Sequence, residues 1–154
     1  MKKFIQLAIA EAERGLRNGD GGPFGAVIVR AGKIVACVHN EVVKNSDPTA
    51  HAEIVAIRAA ARKLKKFDLS DCEIYSTCEP CPMCFAAIFW ARIPRLFFGA
   101  TRDDAAKIGF DDAKIYDFLA GKISKIPLAK KQLARRDCLV PFKKWANLKS
   151  KTEY

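Results

Sequence analysis

The chain has 154 residues, 50% of them hydrophobic and 29% charged, which is enough for one domain with its own core and too few for two. Seven prolines and nine glycines fall short of a disordered composition, and no run approaches the ~20 apolar residues that a membrane helix needs. The net charge of +10 would attract polyanions, but much of the basic excess lies at 58–66 and 122–151, interleaved with apolar residues as on solvated helix faces, so nucleic acid is the less favoured partner.

Apolar positions 4, 5, 8, 9, 12 and 16 follow a helical spacing. The first segment therefore reads as an amphipathic helix ending near Asn18-Gly19, in a cytoplasmic protein, and not as a secretory leader, whose apolar stretch Gln6 would interrupt. Gly21-Gly22-Pro23 then turns the chain. Residues 24–30 and 33–39 read as a hairpin joined by Ala31-Gly32, followed by a loop over 40–48. Asp47-Pro48-Thr49 is a start signal for a second helix running toward Leu64. Residues 72–77 read as a third strand, Pro82 opens a third helix ending at about Ala91, and 95–100 reads as a fourth strand. Beyond residue 100 the pattern is helical and more polar, with Phe110, Tyr116, Phe118 and Leu119 as expected docking points. A hairpin followed by helix and strand units predicts an α/β fold, a three-layer α/β/α sandwich around a mixed sheet, as a single domain over 1–154.

His51-Ala52-Glu53 opens the second helix thirty residues before Cys81, and Cys84 follows in the first turn of the third. Cys81 and Cys84 share one face of that turn, where the partial positive charge of the helix end favours thiolate. One imidazole and two thiolates fill three corners of the tetrahedron zinc prefers and leave the fourth to water, so one Zn2+ per subunit is expected. Glu53, at the helix tip, is placed beside that water as a proton carrier and not as a ligand. His-x-Glu followed by Pro-Cys-x-x-Cys is the pattern of zinc-dependent nucleobase deaminases. The alternative is a closed site with Cys78 as a fourth ligand, which would leave Glu53 without a task and make the chain a zinc-stabilised interaction module. Six cysteines could staple a secreted domain, but three of them crowd into 78–84, which suits metal ligation and reduced thiols. Cys37, Cys72 and Cys138 read as small buried hydrophobes.

Three segments carry a resemblance to the cytidine and deoxycytidylate deaminase superfamily that covers nearly the whole chain. They are Gly21-Gly22-Pro23-Phe24-Gly25-Ala26-Val27-Ile28-Val29, Asp47-Pro48-Thr49-Ala50-His51-Ala52-Glu53 and Cys78-Glu79-Pro80-Cys81-Pro82-Met83-Cys84. The first and third are partly shared with transfer RNA adenosine deaminases. Trp90-Ala91-Arg92, Gly109-Phe110-Asp111-Asp112 and Glu153-Tyr154 resemble the bacterial guanine deaminase branch instead. That resemblance implies hydrolysis of a small purine base, guanine, to xanthine and ammonia, with Glu53 passing a proton from water to a ring nitrogen and Asp112 as a second proton shuttle. It implies that the Asn40 amide reads the base, that Phe24 packs on it, and that Ala52, Trp90 and Tyr154 belong to the substrate site. It also implies a homodimer that exchanges C-terminal segments. Elementary alternatives stand beside these roles: a helix N-cap for Asp112, a turn for Asn40, core places for Phe24 and Trp90. The basic stretch over 125–151 departs from the family. Transfer RNA adenosine deamination and deamination of another small amino heterocycle are the alternative functions.

Overall fold

A computed structural model describes residues 1–110 and 112–152. In chain order the elements are α1 (Lys2–Asn18), β1 (Gly25–Arg30), β2 (Lys33–His39), α2 (Val42–Asn45), α3 (Ala52–Leu64), β3 (Cys72–Cys78), α4 (Pro82–Trp90), β4 (Arg95–Ala100), α5 (Arg102–Lys107), α6 (Ala113–Leu119) and α7 (Arg135–Ala146). The four strands form one sheet in the order β2-β1-β3-β4. Strand β1 runs antiparallel to both β2 and β3, and β3 pairs with β4 in parallel, so the sheet is mixed as expected.

Side-chain alternation along the strands builds a core on each face of this sheet. Val27, Val29 and Tyr75 point to one side, where Phe4 and Ala8 of α1 cover them. Ala26, Ile28 and Ile74 point to the other, against Ala52, Ala56 and Ala60 of α3 and Ile88 of α4. Alanines repeated along one side of α3 let that helix lie close on the strands. The three layers follow directly. Because Gly25 pairs with His39 and Ala26 with Ser76, the start of β1 and the ends of β2 and β3 meet at one edge of the sheet. The starts of α3 and α4 arrive at that edge, and the site is built there.

Four expectations are corrected. The loop over 40–48 contains a helical turn, α2, too short to show a hydrophobic period. Helix α3 begins at Ala52, not at the Asp47 signal, because the Asp47 carboxylate instead accepts from Thr49 N–H (2.8 Å) and Thr49 Oγ–H (2.7 Å) in a local turn. Leu119 is 69% exposed and Phe110 partly exposed, whereas Tyr116 and Phe118 are half-buried. Cys138 is exposed, although all six cysteines are free as expected and Cys72 is buried. Among the described residues no helix is long and apolar enough to cross a membrane.

Candidate active site

Helices α3 and α4 begin in the same way. His51 (φ −63°, ψ 153°) and Cys81 (φ −63°, ψ 166°) are their N-caps, each in extended backbone and neither using its side chain to cap. Pro82 follows Cys81 at a position where its missing N–H costs nothing. Both donor side chains are thereby aimed away from their own helices and toward each other. The Nδ1 atom of His51 lies 3.5 Å from the Cys81 Sγ and 3.5 Å from the Cys84 Sγ, and all three donor atoms fall within 4.8 Å of one another. A tetrahedral ion with bonds of about 2.3 Å to sulfur and about 2.0 Å to nitrogen separates its nitrogen and sulfur ligands by about 3.5 Å, so these donors are spaced for zinc. Proton sharing inside the cluster favours the Cys81 thiolate, to which the Cys84 thiol donates with the His51 imidazole alongside. Cys78 stands apart from the three. Its thiol contacts the Thr101 carbonyl at 3.5 Å, and burial pushes it up to about 11.

Glu53, one position into α3 beyond Ala52, is 5% exposed, and its Oε1 accepts the Ser76 Oγ–H at 2.9 Å. Burial pushes its carboxyl above the ordinary range, against hydrogen bonds from its own backbone N–H, Ser76 and Cys84. Such a group takes and returns protons nearer neutrality than a solvated carboxylate does. Ser76 escaped the sequence reading. Its signal was the alternation of Cys72, Ile74 and Ser76, which puts a lone hydroxyl on the core side of β3.

Asn40 is 4% exposed at the end of β2. Its Oδ1 accepts from two backbone N–H groups, Gly22 at 3.3 Å and Val42 at 3.1 Å, so its acceptor side is spent on the protein. The amide NH2 is the side left for a ligand. A cavity of about 220 Å³ brings Asn40 together with Glu53, His51, Cys81, Phe24 and Asp112. Phe24 forms one wall with Phe110, their rings edge to face at 4.8 Å between centroids. Asp112 sits at the N-cap position of α6, but its side chain makes no capping bond there, and its charge helps to raise the pKa of His51 behind the Cys81 contact. Helix α6 is tied to the Cys81 turn by the Tyr116 hydroxyl, which donates to the Pro80 carbonyl at 2.6 Å, while the Arg102 guanidinium lies 4.6 Å above the Tyr116 ring. Tyr116, Arg102 and the wall residue Ala105 were not foreseen as site residues.

Two expected substrate contacts are not in this cavity. Ala52 is wholly buried, its methyl group in the core behind the site. Trp90 is 64% exposed: it ends α4, about 12 Å along the axis from Pro82. Tyr154 lies outside the described residues.

The geometry can be set beside known proteins. The family described as the cytidine and deoxycytidylate deaminase zinc-binding region matches residues 1–100. Guanine deaminase of Bacillus subtilis (strain 168) is 44% identical over 98% of this chain and 97% of its own length. The X-ray structure of guanine deaminase from Bacillus subtilis superposes with a TM-score of 0.93 over 99% of this chain and 98% of that one. The tRNA-specific adenosine deaminase of Aquifex aeolicus is also 44% identical, but over only 63% of this chain and 64% of that protein. With its residues 1–100 matched and its histidine and two cysteines gathered at paired helix starts, the chain belongs to the cytidine and deoxycytidylate deaminase family.

Proposed function

We propose that this chain is a zinc-dependent guanine deaminase that hydrolyses the exocyclic C–N bond at C2, releasing xanthine and ammonia. The observation that carries the reading is that the buried Glu53 carboxyl opens on the same small cavity as the three-donor cluster. One zinc ion on His51, Cys81 and Cys84 would supply a Lewis acid that lowers the pKa of water toward about 7. Glu53 takes a proton from the water whose oxygen bonds to C2 and passes it to a ring nitrogen. Asp112, which also lines the cavity, takes the proton of the new C2 hydroxyl as the carbonyl forms and the C–N bond breaks, and hands it to the departing amine, because an amine leaves poorly until it is protonated. The Asn40 NH2 donates to an acceptor on the purine edge, and the Phe24 ring packs against the base.

Guanine is favoured over a base in RNA because the likeness to guanine deaminase holds at 44% identity over 98% of the chain, whereas tRNA-specific adenosine deaminases match at 44% over 63% (Aquifex aeolicus) or at 38% over 88% (Buchnera aphidicola). Related structures have been solved with 2,6-diaminopurine and with 8-azaguanine. A cavity this small suits a free base. Zinc-loaded protein given guanine, other amino heterocycles and an anticodon stem-loop should release ammonia and xanthine from guanine. Inosine in the RNA with guanine untouched would reverse the assignment.

A homodimer with exchanged C-terminal segments belongs to the same proposal. Nearly every residue over 120–152 is exposed in the single chain, including Phe142 and Trp145 of α7, and α4 presents Phe85, Phe89 and Trp90 to solvent. Apolar surface of that kind is what a second subunit covers. Sedimentation should give a dimer; a monomer at micromolar concentration would remove this part. Six free cysteines suit the reducing cytoplasm.

A further inference from the structure

His39, the last residue of β2, is 2% exposed and meets a carboxylate at each ring nitrogen. Its Nδ1 lies 3.1 Å from Glu11 Oε2 on α1, and its Nε2 lies 2.8 Å from Asp20 Oδ2 in the turn after α1. The His39 contact holds the Asp20 carboxyl below its usual range. Helix α1 passes the imidazole without a side chain between them: a Cβ on Gly15 would stand 2.6 Å from His39 Cδ2. The ring is thus wedged between α1 and the turn.

What the turn holds is the Asn40 amide. The Asp20 carbonyl accepts from Val43 N–H and Lys44 N–H, both at 3.0 Å, and so anchors α2. Val42 N–H, at the start of α2, and Gly22 N–H, two residues beyond Asp20, are the two donors on Asn40 Oδ1. Gly21 has no room for a side chain, since a Cβ there would lie 2.1 Å from that same oxygen. Both donors that orient Asn40 therefore depend on where Asp20 sits, and His39 is what fixes the Asp20 side chain to the sheet.

We propose that His39 is a positioning residue for base recognition: by clamping Asp20 against Glu11 it sets the two backbone donors that turn the Asn40 NH2 into the cavity. This rests on the reading of Asn40 as the group that contacts the base, and goes beyond it by naming what orients that group. His39 touches no reacting atom, so its effect falls on substrate binding and not on the chemical step.

The test compares His39→Leu, His39→Gln and Asp20→Ala with the native protein, all zinc-loaded, by steady-state kinetics on guanine and by amide hydrogen exchange. His39→Leu severs both contacts, His39→Gln can keep one, and Asp20→Ala cuts the link to the turn while leaving the imidazole on Glu11. Removing uniform binding raises KM and spares kcat, whereas a smaller folded fraction lowers kcat and leaves KM alone. KM should rise about 10-fold or more for His39→Leu and Asp20→Ala with kcat within about 3-fold, and His39→Gln should recover most of the loss. Exchange at Gly22 and Val42 should quicken about 10-fold in the same two variants. An unchanged KM, or a fall in kcat alone, in Asp20→Ala or in folded His39→Leu overturns the proposal, as do unchanged exchange rates. Native protein inactive on guanine would instead overturn the function proposed above, because the exchange measurement reads the clamp without substrate.

Discussion

The Ser76 hydroxyl donates to Glu53 Oε1 at 2.9 Å across the seam between β3 and α3. Ser76 is itself fully buried, so a strand residue with no view of the cavity helps to hold the carboxylate that has one.

Replacing Glu53 by Gln should lower kcat by at least about 100-fold while metal content stays at one ion per chain, since the proton carrier is lost and no ligand is. Ser76→Ala should cost about 10-fold in kcat, also with full metal content, because the carboxylate loses one of its few buried partners. Ammonia release and metal analysis on the same samples check both.

Stripping the protein with a chelator should abolish ammonia release and lower the melting temperature, and added zinc should restore both. Cys84→Ala should bind well under one equivalent and melt below the native protein. Calorimetry with and without zinc reads the difference.

Asn40→Asp keeps an oxygen for the Gly22 and Val42 N–H groups but exchanges the amide donor for a second acceptor. The fold should survive and kcat/KM for guanine should fall about 10- to 100-fold, the cost of leaving a buried polar atom of the substrate unpaired. Kinetics with a melting control checks it.

Lys66 Nζ, together with Arg30, holds the Asp71 carboxyl down at about 2. A depressed carboxylate adds stability that is complete above its unfolded pKa, near 3.8, and is lost as pH falls through the folded value. Asp71→Asn should therefore melt below the native protein at pH 7, and the gap should close between about pH 4 and pH 2. Melting curves over that range would contradict this if the gap were constant.

How much of this was legible in the chain follows from how local each signal is. His51, Cys81 and Cys84 could be placed because a helix start fixes the direction of its own first residues, and Cys81 and Cys84 lie within one turn. The strands were readable because β1 and β3 alternate between two cores. Ser76 and the Glu11-His39-Asp20 bridge were not, since each unites residues from separate elements, 23, 28 and 19 positions apart, and a one-dimensional pattern carries no such pairing. The Asp47 start signal misled because a carboxylate there serves a turn as readily as a helix. Trp90 was placed by the family resemblance, and in the single chain it stands exposed at the far end of α4 from the cavity.

His51 and Cys81 each forgo capping their own helix in order to meet at a common point. An N-cap is worth about 1 kcal/mol, so two helix ends are left softer than they could be until something fastens them together. Turnover and durability should consequently travel together at these positions, a substitution of either donor lowering the melting temperature along with activity. Glu53, which reaches the same spot without holding it, is where the two traits can part.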